Sequence, residues 1–132
     1  MIISTLIGLV SAVITILIFS LYKRIDKHII YGLILAGIGF LYIGYTWSEI
    51  TTAVISGIQA LVFISFAYYG IRENINSLIA GYFLHGIWDM LYPFIGNPSL
   101  LPPHYDFFCL TYDFIVGGYL LFVKYQTRVV VA

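Results

Sequence analysis

Short polar breaks cut the chain into five apolar runs, covering about residues 2–22, 29–47, 50–70, 75–93 and 105–123. At about 1.5 Å of rise per residue, a helix of about 20 residues crosses about 30 Å of hydrocarbon. None of the runs alternates polar and apolar side chains as barrel strands do. Of the 132 residues, 61% are hydrophobic and 9% are charged, whereas a water-facing surface carries roughly 25–35% charge. A globule of this size cannot be covered with so few polar side chains, which excludes a soluble enzyme and a disordered tail. The expected fold class is all-α, a polytopic transmembrane bundle of five helices forming one domain over residues 1–132.

The formal net charge is zero, so no basic field draws in nucleic acid. A single cysteine, Cys109, excludes an internal disulfide framework and a cysteine zinc site. The Met1 end has no basic n-region, and no cleaved signal peptide is expected. Lys23, Arg24 and Lys27 follow the first run, Arg72 the third, and Lys124 and Arg128 the fifth. Five crossings put all six on one side, which four or six would not. By the positive-inside rule that side is cytoplasmic, with the N-terminus outside and the C-terminus inside. The expected location is the plasma (cytoplasmic) membrane, as a multi-pass integral protein.

The acids are sorted differently. Asp26 and Glu73 accompany the basic residues, while Glu49, Asp89, Asp106 and Asp113, with His85 and His104, fall in the other half. On the fourth run, His85 and Asp89 are one helical turn apart and share a face with Ser77, Gly81 and Tyr92. On the fifth, Asp106, Cys109, Asp113 and Gly117 form a stripe; on the third, Thr52, Ser56, Gln59 and Phe63 do. Ser4, Gly8, Ser11 and Thr15 give the first run a small-residue stripe for close packing. Small residues on several sides of the second run (Gly32, Ala36, Gly37, Gly39, Gly44) mark it as the most surrounded helix. Asn74 is a natural N-cap for the fourth run, and His28 reads as a solvated loop residue.

His85 sits about 15 Å deep by helical rise, with Asp89 and Asp113 within about a turn of it toward the outside. Such groups cost about 2.5–3.5 kcal/mol each in lipid, so His85, Asp89 and Asp113 must face one another or a wet cavity. Gln59, Tyr82, Trp88, Tyr92 and Tyr112 are candidates for binding a substrate there, with Glu49 at the rim. The loop from Phe94 to Asp106 is stiffened by Pro98, Pro102 and Pro103, which prevent a helix, and can fold over the bundle to bring His104 in.

With no Lys or Arg in that half, an anionic head group meets no fixed positive charge, and a neutral or cationic ligand against the aromatic rings fits better. No serine nucleophile elbow, His-Glu-x-x-His or glycine-rich phosphate loop is present. Three readings follow. In the first, His85, Asp89 and Asp113 perform acid–base catalysis, isomerising, cyclising or hydrating a membrane lipid or other lipophilic, non-anionic small molecule. In the second, the same three residues hold a divalent metal for catalysis or transport, the one cofactor these side chains suggest. In the third, a non-catalytic accessory subunit uses the polar groups only to fix helix packing. A homodimer would complete the cavity of so narrow a bundle.

The segment His85-Gly86-Ile87-Trp88-Asp89, with Tyr105-Asp106-Phe107, Tyr112-Asp113 and Gly117-Gly118-Tyr119, resembles a family of small uncharacterised integral membrane proteins. That resemblance implies a membrane bundle and no assigned activity. The His85/Asp89 spacing is also loosely similar to the emopamil-binding sterol isomerases, which use a His and a Glu four residues apart on a membrane helix in an aromatic pocket. This similarity implies acid–base chemistry; Asp89 stands here in place of the Glu, and the pair lies on the fourth span.

Overall fold

The structure is a computed structural model that describes residues 2–22 and 26–131, with side chains described as far as residue 126. Its helices are α1 (Ile2–Leu21), α2 (Lys27–Thr46), α3 (Ile50–Arg72), α4 (Ile75–Ile95) and α5 (Tyr105–Val131). All five are long and apolar enough to cross a membrane, and no strand occurs among the described residues. Large apolar side chains point outward, Leu17, Leu61 and Phe122 among them, while Gln59, His85, Asp89 and Asp113 are buried. That inside-out distribution suits a bundle whose solvent is hydrocarbon.

Cap chemistry sets two of the helix starts. Asn74 accepts a hydrogen bond from the Asn76 N–H and opens α4 as its sequence suggests. Asp26 does the same for the His28 N–H, which draws Lys27 and His28 into the first turn of α2. His28 is therefore helical rather than a loop residue, with its ring 3.2 Å from Asp26. At the far end, α4 runs through Pro93 to Ile95. A proline this close to a helix end forfeits only one bond, here the one its N–H would give the Asp89 carbonyl. The loop beyond also departs from expectation, because Pro98–Leu100 form one turn of 3-10 helix. Proline is compatible with the first position of such a turn, where no N–H is needed, and Asn97 caps it by accepting from the Ser99 N–H.

Helix α2 packs on α3, α3 and α2 on α4, α4 on α5, and α1 on α5. The most enclosed helix is α4, with 44% of its apolar span buried against 33% for α2. This corrects the expectation drawn from the α2 glycines. Gly37 and Gly44 have nothing within 4 Å of a built Cβ, so they face outward instead of accommodating a neighbour. On α1 the small residues do mark a contact, since a Cβ on Gly8 would sit 2.5 Å from the Phe108 carbonyl oxygen on α5.

The described basic residues gather at one end. Lys27 donates to the Tyr119 hydroxyl at 3.1 Å, Lys124 donates to Asn76 at the start of α4, and Arg72 closes α3 beside the Tyr68 ring. Lys23 and Arg24 lie outside the described residues, as does the side chain of Arg128. Tyr31, Leu35, Phe63, Leu78, Tyr82, Val116 and Leu120 form the larger apolar core. A smaller one, of Tyr42, Tyr92, Tyr105 and Cys109, sits nearer the opposite end. Along α4, His85 and Asp89 fall between Tyr82 of the first and Tyr92 of the second.

Candidate functional site

Three helices meet at the polar cluster. The i,i+4 spacing on α4 turns His85 and Asp89 to the same face, and α5 supplies Asp113. The imidazole Nδ1 lies 2.7 Å from Asp113 Oδ2 and 3.3 Å from Asp89 Oδ2. From α2, the Tyr42 hydroxyl donates to Asp89 Oδ1. Phe63 of α3 closes the imidazole from another side, its ring centroid 4.7 Å away and the planes steeply inclined. His85, Asp89 and Asp113 are all 0% exposed.

The cluster is only half satisfied. His85 Nε2 and Asp113 Oδ1 are buried without a hydrogen-bond partner, and Asp89 Oδ2 has only its 3.3 Å contact with His85 Nδ1. A buried polar group left unpaired costs about 1–3 kcal/mol, and native interiors hold few of them. Two such atoms on touching residues, beside a third with only a long contact, are therefore a concentrated expense. Two carboxyls and one imidazole also carry an excess of acid, while the described cations lie at the other end of the bundle. The set has proton-accepting oxygens, a ring nitrogen free of partners, and a second ring nitrogen shared between the acids.

The other candidates are distributed around this cluster. Gln59 is buried on α3, donates its Nε2 to the Gly39 carbonyl at 2.6 Å, and leaves Oε1 unpaired. Trp88 packs edgewise on Tyr42, with its indole Nε1 also buried and unpaired. Tyr92 is buried, stacks at a tilt on Tyr42, and donates to the Asn97 carbonyl at 3.0 Å. The Tyr82 hydroxyl donates to the Tyr31 carbonyl at 2.6 Å, and that of Tyr112 to Thr15 Oγ1 at 3.2 Å, tying α4 to α2 and α5 to α1. Glu49 is exposed, accepting from Thr52 Oγ1 and Asn97 Nδ2, each at 2.8 Å. These two donors hold its carboxyl below the ordinary carboxylate range. His104 is exposed and adopts a positive φ of 56°. Gln59, Glu49, Tyr82, Tyr112 and His104 thus make their hydrogen bonds or ring contacts outside the His85 cluster.

Tyr42 is the site residue that the sequence reading missed. A signal was available: Gly32, Gly39 and Thr46 recur every seven residues on α2, and Leu35 and Tyr42 keep the same interval one turn over. All five are buried. Tyr105 was missed as well; its hydroxyl is buried, and its ring meets that of Tyr42 edge-on at 5.7 Å.

Two openings approach the cluster. Beneath the proline-rich loop, a cavity of about 110 Å³ is lined by Asp89, Tyr92, His104, Tyr105 and Asp106. His104 and Asp89 therefore border one space. On the flank between α3 and α4, an apolar groove of about 400 Å³ runs past Gln59, Phe63 and Trp88. Phe63 stands between that groove and the imidazole. One donor atom each from His85, Asp89 and Asp113 also lie within 4.8 Å of one another, a spread that a single cation can gather.

Among curated proteins and among solved structures nothing matches the chain. One family model, described as a family of unknown function (DUF6010), matches residues 3–126, a stretch that holds Tyr42, His85, Asp89 and Asp113. With nearly its whole length matched, the chain belongs to the DUF6010 family.

Proposed function

We infer that this five-span membrane protein carries out acid–base chemistry on a lipophilic, uncharged molecule taken from the bilayer, with His85, Asp89 and Asp113 as its catalytic residues. The observation that supports this most is the unpaired state of His85 Nε2 and Asp113 Oδ1, beside an Asp89 Oδ2 held only by its 3.3 Å contact with the imidazole. A purely structural network gains by pairing every buried group, whereas a reactive site keeps donors and acceptors for its substrate. Tyr42 holds Asp89 from behind, as a positioning residue. The cavity under the loop gives Asp89 a path for proton exchange with water, and the flank groove gives an apolar substrate a path from lipid. The absence of Lys and Arg near the cluster among the described residues favours a neutral ligand. The three described basic residues at the opposite end favour a cytoplasmic location for that end, which turns the cluster toward the outer half of the membrane. The spacing likeness to the sterol isomerases supports the same kind of chemistry.

Asp113→Asn and His85→Ala, purified in detergent, test the reading. Both should keep a folded bundle and lose turnover or ligand binding. If both lose the fold instead, the cluster is a packing device and the accessory-subunit reading replaces this one.

A second reading has its own support in the 4.8 Å gathering of donor atoms. A divalent cation held by His85, Asp89 and Asp113 would polarise a substrate oxygen there. Elemental analysis after gentle purification tests it. One equivalent of metal, lost in Asp113→Asn, supports it; a metal-free protein whose melting temperature ignores added zinc or manganese overturns it.

A further inference from the structure

We propose that Ser20 of α1, Lys27 of α2 and Tyr119 of α5 form a binding site for the phosphate of an anionic phospholipid, in the leaflet that meets the basic end of the bundle. The three side chains come from three helices and converge on one hydroxyl. Lys27 Nζ donates to the Tyr119 hydroxyl at 3.1 Å, and Ser20 Oγ stands 3.3 Å from that same oxygen. The ammonium also lies 5.5 Å from the centre of the Tyr119 ring. All three reach the surface: Ser20 is exposed, and Lys27 and Tyr119 are half-buried. Ser20 is the penultimate residue of α1 and Lys27 the first of α2, which sets the trio at the level of head groups rather than among acyl chains.

The trio is rich in donors. Two hydroxyl protons and three ammonium protons serve two internal hydrogen bonds, which leaves one O–H and two N–H donors for a ligand. Among the described residues no carboxylate claims them. The ion pairs there are all made by histidine, and Asp26, next to Lys27 in the chain, is turned to the His28 N–H at 2.9 Å and to its ring. The other described cations are engaged elsewhere, Lys124 with Asn76 and Arg72 with the Tyr68 ring. A phosphodiester brings several acceptor oxygens and the negative charge that Lys27 lacks, and hydrogen bonds between charged partners are the strong ones. Lys27, Arg72 and Lys124 against Asp26 and Glu73 leave a positive excess at this end, which favours an anionic lipid over one whose phosphate is balanced by choline. Leu17, three residues before Ser20, and Phe122, three after Tyr119, are exposed on the same helix faces and give the acyl chains a surface to lie on. A free phosphate ion uses neither.

Native mass spectrometry of the full chain in a neutral detergent, titrated in turn with phosphatidylglycerol, phosphatidylcholine and glycerol phosphate, tests the site. Phosphatidylglycerol should be retained at about a tenfold lower concentration than phosphatidylcholine, the size expected for hydrogen bonds to a charged group. Glycerol phosphate, a head group without chains, should not displace it. Equal retention of the two lipids overturns the proposal, and displacement by glycerol phosphate at matching concentration overturns it in favour of a free phosphate ion. Lys27→Met should erase the preference. Lys124→Met takes the same charge from the same end without touching the trio and should keep it; an equal loss in both variants means diffuse attraction and overturns the site. Ser20→Ala changes one exposed hydroxyl, so it answers even where Lys27→Met does not fold. It should weaken phosphatidylglycerol retention about threefold, and unchanged retention overturns the proposal.

Discussion

Tyr42 of α2 donates its hydroxyl to Asp89 of α4, a hydrogen bond between side chains 47 residues apart in a layer where both are fully buried. It is one of the few polar ties from α2 into the centre of the bundle, and it leaves only Oδ2 of that carboxyl for His85. Removing the hydroxyl takes from Asp89 Oδ1 the donor that satisfies it. Tyr42→Phe should therefore destabilise the bundle by about 1–3 kcal/mol, read as reduced resistance to thermal or denaturant unfolding in detergent. Tyr31→Phe is the matched control. That hydroxyl is buried without a partner, and its removal should be neutral or stabilising.

The same logic separates the two acids. Asn at position 113 still offers an oxygen to His85 Nδ1 at the place where Asp113 Oδ2 stands 2.7 Å away. Asp113→Asn should keep the fold, with a melting temperature close to that of the parent, while turnover or ligand binding is lost. Asp89→Leu has no such escape, because it strands the Tyr42 hydroxyl and removes one neighbour of the imidazole. Its yield of folded protein from detergent should fall well below that of Asp113→Asn.

Much of this arrangement is legible in the chain. Thr52, Ser56, Gln59 and Phe63 fall on one face of a 3.6-residue helix, and all four are buried on α3. His85 and Asp89 share a turn, and hydrocarbon penalises any partnerless orientation, which drives them toward Asp113. Tyr42 was harder to see because tyrosine is frequent here, with twelve in the chain. Its type matches an interfacial belt residue as well as a buried donor. The α2 glycines mislead for a related reason: a small residue permits close approach without requiring it, and Gly37 and Gly44 meet nothing. The destinations of the Tyr82 and Tyr112 hydroxyls were hidden because each bonds to another helix, at Tyr31 and Thr15, and helix pairing is not written in periodicity.

Glycine substitutions test that distinction. Gly8 lies against the Phe108 carbonyl, at a distance no side-chain carbon tolerates. Gly8→Ala should push α1 from α5 and strain the Tyr112–Thr15 hydrogen bond, in a helix that is only 11% buried. The helix should become accessible to protease or to cross-linking with lipid-soluble probes. Gly37→Ala meets nothing, and the gain in helix propensity over glycine, up to about 1 kcal/mol, should leave the protein as stable or more so. Melting curves of the two variants side by side check the contrast.

The loop over the cluster should respond to acid. Glu49 accepts from Asn97 and Thr52, and Asn97 in turn receives the Tyr92 hydroxyl on its carbonyl. The chain from Glu49 to Tyr92 thus ties the loop to the α3 start and to α4, above the cavity that borders Asp89. Because these bonds favour the ionised carboxylate, the folded group titrates below its unfolded counterpart. The stabilisation is present at pH values above the unfolded carboxylate range. It is lost as the pH falls through the folded value. Amide exchange at Ser99 and Leu100, measured in nanodiscs, should accelerate as the medium is acidified into and below the carboxylate range, after correction for the intrinsic rate. Glu49→Gln should flatten that dependence, since a neutral amide keeps one acceptor at every pH. An acid response that persists in Glu49→Gln would overturn Glu49 as the titrating group.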